Sequence, residues 1–201
     1  MFILRNLWLF FLDFLETIAV SLAIFAIVYL FLFQPHQVDG QSMVPNFHDK
    51  EYILTDKVSY RLGQPKRGDV VVFHSPQDER VDYIKRVIAL PGDMVMVKGG
   101  HMYLNDQKLE EAYINNPGQV VAGRFLREGA PVEVPPDQYL VLGDNRLHSS
   151  DSREWGFVTK GAIVGRAFFR YWPIPSFGVI KTAEADFTVG AVKGAINAVG
   201  Q

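Results

Sequence analysis

The run Val81-Asp82-Tyr83-Ile84-Lys85-Arg86-Val87-Ile88-Ala89-Leu90 decides the fold class. It is apolar and rich in β-branched residues, and it stops at the turn Pro91-Gly92-Asp93, which marks a strand. Alternate side chains of a strand point to opposite faces, so Val81, Tyr83, Lys85, Val87 and Ala89 share one face. Lys85 is the only charge on that face. An apolar surround disfavours the charged ammonium and would lower the lysine pKa toward neutrality. A lysine at a sheet edge with its head in water fits the same pattern.

Working outward, short β-rich runs broken by Gly, Pro, Asp and Asn extend from Glu51 to about Trp172. Besides Val81–Ala89, the expected strands are Tyr52–Thr55, Val70–His74, Met94–Lys98, His101–Leu104, Val120–Leu126, Tyr139–Leu142 and Ala162–Tyr171. Many short strands with close turns predict a mostly β chain, an antiparallel sheet or barrel-like fold.

The chain begins differently. Residues 1–33 are strongly apolar, and no charge occurs from Thr17 to Phe33. That length spans a bilayer. Arg5, Asp13 and Glu16 interrupt the preceding part, so the expected span is residues 17–33. The run ends in Phe31-Leu32-Phe33-Gln34-Pro35, without the small residues of a cleavable leader, which predicts a retained anchor. Arg5 on the N-terminal flank places that end in the cytoplasm and the remainder on the outer face of the cell membrane.

Composition narrows the chemistry. With 20 basic and 22 acidic residues, nothing suggests nucleic acid as a partner. The chain has no cysteine, so thiolate catalysis and cysteine-ligated metal are excluded. Its five histidines are scattered, and neither a metal nor a cofactor is expected.

Ser42 follows the anchor within Gly40-Gln41-Ser42-Met43-Val44-Pro45. A serine needs a base to become a nucleophile, and a desolvated lysine is one. Four segments carry a wider likeness, in order: Ser42-Met43-Val44-Pro45, Arg67-Gly68-Asp69-Val70-Val71-Val72-Phe73, Tyr83 to Asp93, and Gly143 to Gly156. Together they resemble the bacterial type I signal peptidases, the Ser/Lys leader peptidases, over roughly residues 17 to 175.

The resemblance implies roles position by position. Ser42 matches the nucleophile and Lys85 the general base. Ser149 matches a hydroxyl that hydrogen-bonds and orients the lysine. Asp151 and Arg153 match a supporting ion pair, and Asp144 a further carboxylate nearby. Where some relatives carry a serine that completes the oxyanion hole, this chain has Gly40. The backbone N–H of Gly40 is therefore expected beside that of Ser42. Asn46 and Ala89 also depart from the usual threonine and glycine. Val38, Met43, Phe47 and Ile84 are expected to line pockets for small side chains, with ordinary core as the competing reading. Asp82, Tyr83 and Ile84 are expected to contact an extended substrate through their main chain. The implied substrate is a preprotein whose signal peptide, Ala-x-Ala at its end, still lies in the lipid bilayer.

The implied organisation is an anchor (1–33), a β-rich catalytic domain (34–180) with a variable insertion at about 92–135, and a C-terminal tail (181–201) with no assigned role. The insertion is assigned no chemistry. Two other readings stay open: a Ser/Lys processing peptidase with another target, and a non-catalytic, membrane-tethered binding module.

Overall fold

The computed structural model describes residues 2–183. Most of the 181–201 tail lies outside the described residues. Helix α1 (Phe2–Phe31) is one unbroken element, longer than the expected span. Arg5, Asp13 and Glu16 interrupt the apolar run but are good enough helix residues to leave the helix intact. Its hydroxyls turn inward: Thr17 Oγ donates to the Asp13 carbonyl at 2.8 Å and Ser21 Oγ to the Thr17 carbonyl at 2.7 Å. Large apolar side chains along α1 are exposed all round, from Leu7 and Trp8 to Tyr29 and Phe31. A helix apolar on every face and packed on nothing is built for lipid. Its stretch Arg5–Tyr29 is long and apolar enough to cross a membrane.

The remaining elements, in chain order, are β1 (Phe33–Gln37), β2 (Tyr52–Asp56), α2 (Ser59–Leu62), β3 (Val70–His74), β4 (Asp82–Ala89), β5 (Met94–Lys98), β6 (His101–Leu104), β7 (Gln107–Lys108), β8 (Val132–Glu133), β9 (Gln138–Leu142), α3 (Ser152–Trp155), β10 (Val158–Thr159), β11 (Ile163–Trp172) and β12 (Gly178–Val179). The larger sheet runs β1-β2-β11-β3-β4-β9-β10, with β12 also on β11. The smaller runs β7-β6-β5-β8. Every pairing between these strands is antiparallel, so the mostly β, antiparallel architecture behind an apolar N-terminal helix is as the sequence predicts.

Two differences have physical causes. Phe33 belongs to β1, paired with Asp56, and not to the helix. The run Val120–Leu126 forms no strand. Its backbone groups bond elsewhere: Val120 N–H to the Gly100 carbonyl, and the Phe125 and Leu126 N–H groups both to the Arg153 carbonyl.

Three apolar clusters hold the domain. One joins the two sheets through Ile88, Val95, Val97, Leu104, Leu126, Leu140 and Leu142. A second packs Val38, Met43, Phe47, Ile53, Val70, Val72 and Ala167 beneath the segment carrying Ser42. A third contains Phe73, Val87, Tyr139 and Val141. Strand β4 touches all of them, so its position is over-determined before any functional group is considered.

Candidate active site

The structure brings Ser42 and Lys85 together. Lys85 Nζ lies 2.9 Å from Ser42 Oγ and donates a second bond to the Ile84 carbonyl at 2.9 Å. Its other close neighbour is the Tyr83 ring, 5.3 Å from centroid to ammonium. The residue is 4% exposed. Burial pushes the ammonium down to about 8, against the upward pull of the Asp151 and Asp144 carboxylates. Near that pH a fair fraction of the amine is neutral. The contact can then reverse, with the Ser42 hydroxyl donating to the nitrogen lone pair, as a general base requires.

Ser42 sits in a turn that is docked from outside. The Asn145 N–H donates to the Ser42 carbonyl and Asn145 Nδ2 to the Gln41 carbonyl, both at 3.0 Å. Gly143 lies directly beneath. A side chain there would overlap Ser149 Oγ and come within 2.5 Å of the Ser42 carbonyl oxygen, which explains the glycine by close approach.

Asp151, Arg153 and Asp144 form two buried ion pairs. Arg153 Nε lies 2.8 Å from Asp151 Oδ1, and Asp151 also accepts from the Gly143 and Arg153 N–H groups, capping α3. Asp144 is gripped in fork geometry by Arg86, at 2.8 and 2.6 Å, and takes a third bond from Asn46 Nδ2 at 2.9 Å. So Asn46, at the position usually held by threonine, bonds this carboxylate.

Three expectations differ from the geometry. Ser149 Oγ is buried and makes no hydrogen bond, so the expected bond to Lys85 is not formed; Lys85 spends its donors on Ser42 and Ile84 instead. The Gly40 N–H, expected at the oxyanion hole, donates to Asp49 Oδ1 at 2.7 Å. The Ser42 N–H, by contrast, has no acceptor among the described residues. Met43 and Phe47 are core, 1% and 2% exposed. The turn in which the Asn46 and Phe47 N–H groups bond the Met43 carbonyl directs both inward.

A groove of about 310 Å³ opens beside the pair, lined by Val38, Ser42, Asp82, Tyr83, Ile84 and Lys85 among others. One edge of β4 is unpaired here, because β9 joins β4 only from Arg86 onward. The main chain of Asp82–Ile84 therefore faces the groove with one side open, as strand addition requires.

The insertion contributes what the sequence reading did not foresee. Arg146, one residue beyond Asn145, forms a fork with Glu111, and the Glu111 carboxylate also accepts from Tyr113 Oη at 2.5 Å. The Tyr113 ring covers the Arg86 guanidinium at 4.5 Å, and its carbonyl accepts from Asn46. Glu111 and Tyr113 thus strap the segment before Ser149 to the strand carrying Lys85. The available signal was a demand: Arg86 and Arg146 lie in apolar or tight contexts, and buried arginines must find carboxylates.

The family described as "Signal peptidase, peptidase S26" matches residues 11–172. A "Probable signal peptidase I-2" of Synechocystis sp. is 41% identical over 161 residues, 78% of this chain and 70% of that protein. A "Signal peptidase I" of Bacillus caldolyticus is 40% identical over 165 residues, 79% of this chain and 90% of that protein. A "Signal peptidase IB" of Staphylococcus aureus (strain COL) is 38% identical over 177 residues, 83% of this chain and 92% of that protein.

Proposed function

The chain belongs to the S26 signal peptidase family, serine endopeptidases that remove signal peptides, and from that premise we propose that it does so with Ser42 as nucleophile and Lys85 as general base. The 2.9 Å contact between Lys85 Nζ and Ser42 Oγ in a buried setting carries the reading.

The extended end of a signal peptide enters the groove and pairs with the open edge of Asp82–Ile84. Val38 and Ile84 face its small side chains. Ser42 Oγ attacks the scissile carbonyl as Lys85 takes its proton. The developing oxyanion meets the free Ser42 N–H, and Gly40 joins only if Asp49 releases its amide. Lys85 then returns the proton to the leaving amine, and the mature protein departs. Water attacks the acyl-enzyme with Lys85 again as base. Asp144, Asp151 and Arg153 act through position, holding the segment that seats Ser42. Ser149 packs against Gly143, beside that segment.

We assign residues 34–180 to the catalytic domain, with the insertion at about 92–135 as its strap, and α1 to a single span with its N-terminus in the cytoplasm. Arg5 supports that orientation. Ser42 follows the last helical residue closely, so the groove meets a peptide emerging at the bilayer surface. The membrane thereby supplies proximity for both partners.

The test is cleavage of a model preprotein by detergent-solubilised full chain, with the new N-terminus sequenced. We expect a single cut after Ala-x-Ala, and a loss of about tenfold or more when the alanine at the cut becomes leucine. A cut elsewhere would indicate a processing peptidase with another target. Folded chain that binds the preprotein without cutting it would indicate a tethered binding module.

A further inference from the structure

A side-chain bridge joins the two walls of the groove away from the catalytic pair. Asp82 Oδ2 lies 3.2 Å from His36 Nε2, and Asp82 Oδ1 lies 2.8 Å from His74 Nδ1. Both oxygens of this carboxylate are therefore engaged. His74 is the cross-strand partner of Asp82 on β3, so that contact is local. The His36 contact is not. Strands β2, β11 and β3 separate β1 from β4 in the sheet. In a flat sheet, four strand spacings would set β1 and β4 roughly 19 Å apart, beyond the reach of the two side chains. The sheet curls, and the bridge is where its first strand meets its fifth. His36 is fixed from behind, with Nδ1 3.0 Å from Oγ1 of the fully buried Thr55.

Both walls run from the catalytic pair to this bridge. One passes from Ser42 through Val38 to His36, the other from Lys85 through Tyr83 to Asp82, and all six residues line the groove. Along β4 the three steps from Lys85 to Asp82 cover about 10 Å. An extended peptide beside β4 advances by the same rise, so about three of its residues fit between the catalytic pair and the bridge. Past the bridge, β1 leads back through Pro35 and Gln34 to Phe33, close to the end of α1.

We propose that the His36–Asp82 bridge is the end stop of the groove: it makes the site read the last three residues before the cut and turns the fourth out toward the end of α1. This rests on the reading that the groove holds the end of a signal peptide. His36 and the Asp82 carboxylate determine specificity through the length of the groove and touch no reacting atom. His74 holds the Asp82 side chain in its bridging position.

The experiment measures binding, so that nothing need be cut. Full chain carrying Ser42→Ala, in detergent micelles, is titrated with fluorescent peptides of three, four, five and six residues. Each ends in Ala-x-Ala, and every added residue is threonine, which favours a strand without driving the peptide into the micelle. With the bridge intact, affinity should stay within about twofold from the shortest peptide to the longest. With His36→Ala, or with Asp82→Ala on the opposite wall, it should rise about fivefold over the same series, as added residues find groove to occupy. His36→Gln, whose amide can donate to Asp82, should restore the flat profile. A fivefold rise with the bridge intact overturns the proposal, as do flat profiles in both alanine variants, or no binding of any peptide. A bridge that served packing alone would weaken all lengths alike and leave the profile flat. The expected profiles beside a wild type that cuts nothing would leave the stop standing and contradict the cleavage reading. Wild-type cleavage beside flat profiles in both alanine variants would do the reverse.

Discussion

Ser42→Ala and Lys85→Met each lower cleavage of an Ala-x-Ala preprotein by about 10⁴-fold or more, and the double variant is no slower than either single one. The first change removes the attacking oxygen. The second keeps the length and apolar bulk of the lysine stem and removes only the amine. Groups that act as one unit fail together, so losses that multiplied in the double variant would show two independent contributions and contradict the pairing. Neither change should unfold the protein. Lys85 is buried with no carboxylate in direct contact, so replacing its ammonium with a thioether strands no partner charge. Thermal unfolding of both variants checks this: a midpoint at or above that of wild type, with activity gone, assigns the loss to chemistry.

Asp144→Ala has the largest expected effect on stability. The side chains of Arg86 and Asp144 are 4% and 0% exposed, and the carboxylate answers both the guanidinium and Asn46. Removing it leaves a buried cation without its partner, a cost of about 3–5 kcal/mol. For a chain of this size that lowers the unfolding midpoint by roughly 10 °C. The double variant Arg86→Met/Asp144→Leu should recover most of the loss, because two apolar groups of similar volume leave no charge stranded. Recovered stability should not bring back full activity, since Asn46 and the Ser42 segment lose their anchor. A double variant as unstable as Asp144→Ala would mean that the pair contributes through something other than charge compensation.

The sequence and the structure agree where local chemistry decides. Strands β3, β5 and β6 lie where apolar and aromatic runs are bounded by Gly68-Asp69, Pro91-Gly92-Asp93 and Gly99-Gly100. They part company where partners decide. Strand β1, Phe33-Gln34-Pro35-His36-Gln37, has no alternation and a central proline, yet it pairs along β2 as an edge strand, where a missing N–H is tolerated. Val120–Leu126 has the composition of a strand, but Gly123 lies so close to the Arg153 carbonyl that no side chain would fit, and the run follows that contact instead of a ladder.

The site divides in the same way. Ser42 and Lys85 stood out through the segments around them, and the fold sets them in contact across 43 positions. Met43 and Phe47 were ambiguous between pocket and core, and a local turn sent them to the core. Glu111, Tyr113 and Asn145 carried no signal of their own. Glu111 lies 35 positions from Arg146, in a segment whose composition suggests only a surface insertion, and nothing local tells which carboxylate a buried arginine will find.

The pH dependence of kcat/KM is the most direct test of the central claim, that a buried lysine serves as the base. Burial lowers the Lys85 ammonium to about 8, and only the neutral amine can accept the serine proton. Activity should therefore rise about tenfold per pH unit below that value, pass half-maximum near it and level off above. A flat profile from pH 6 to 10, or a half-maximum near 6.5 as an ordinary histidine would give, would contradict Lys85 as the base.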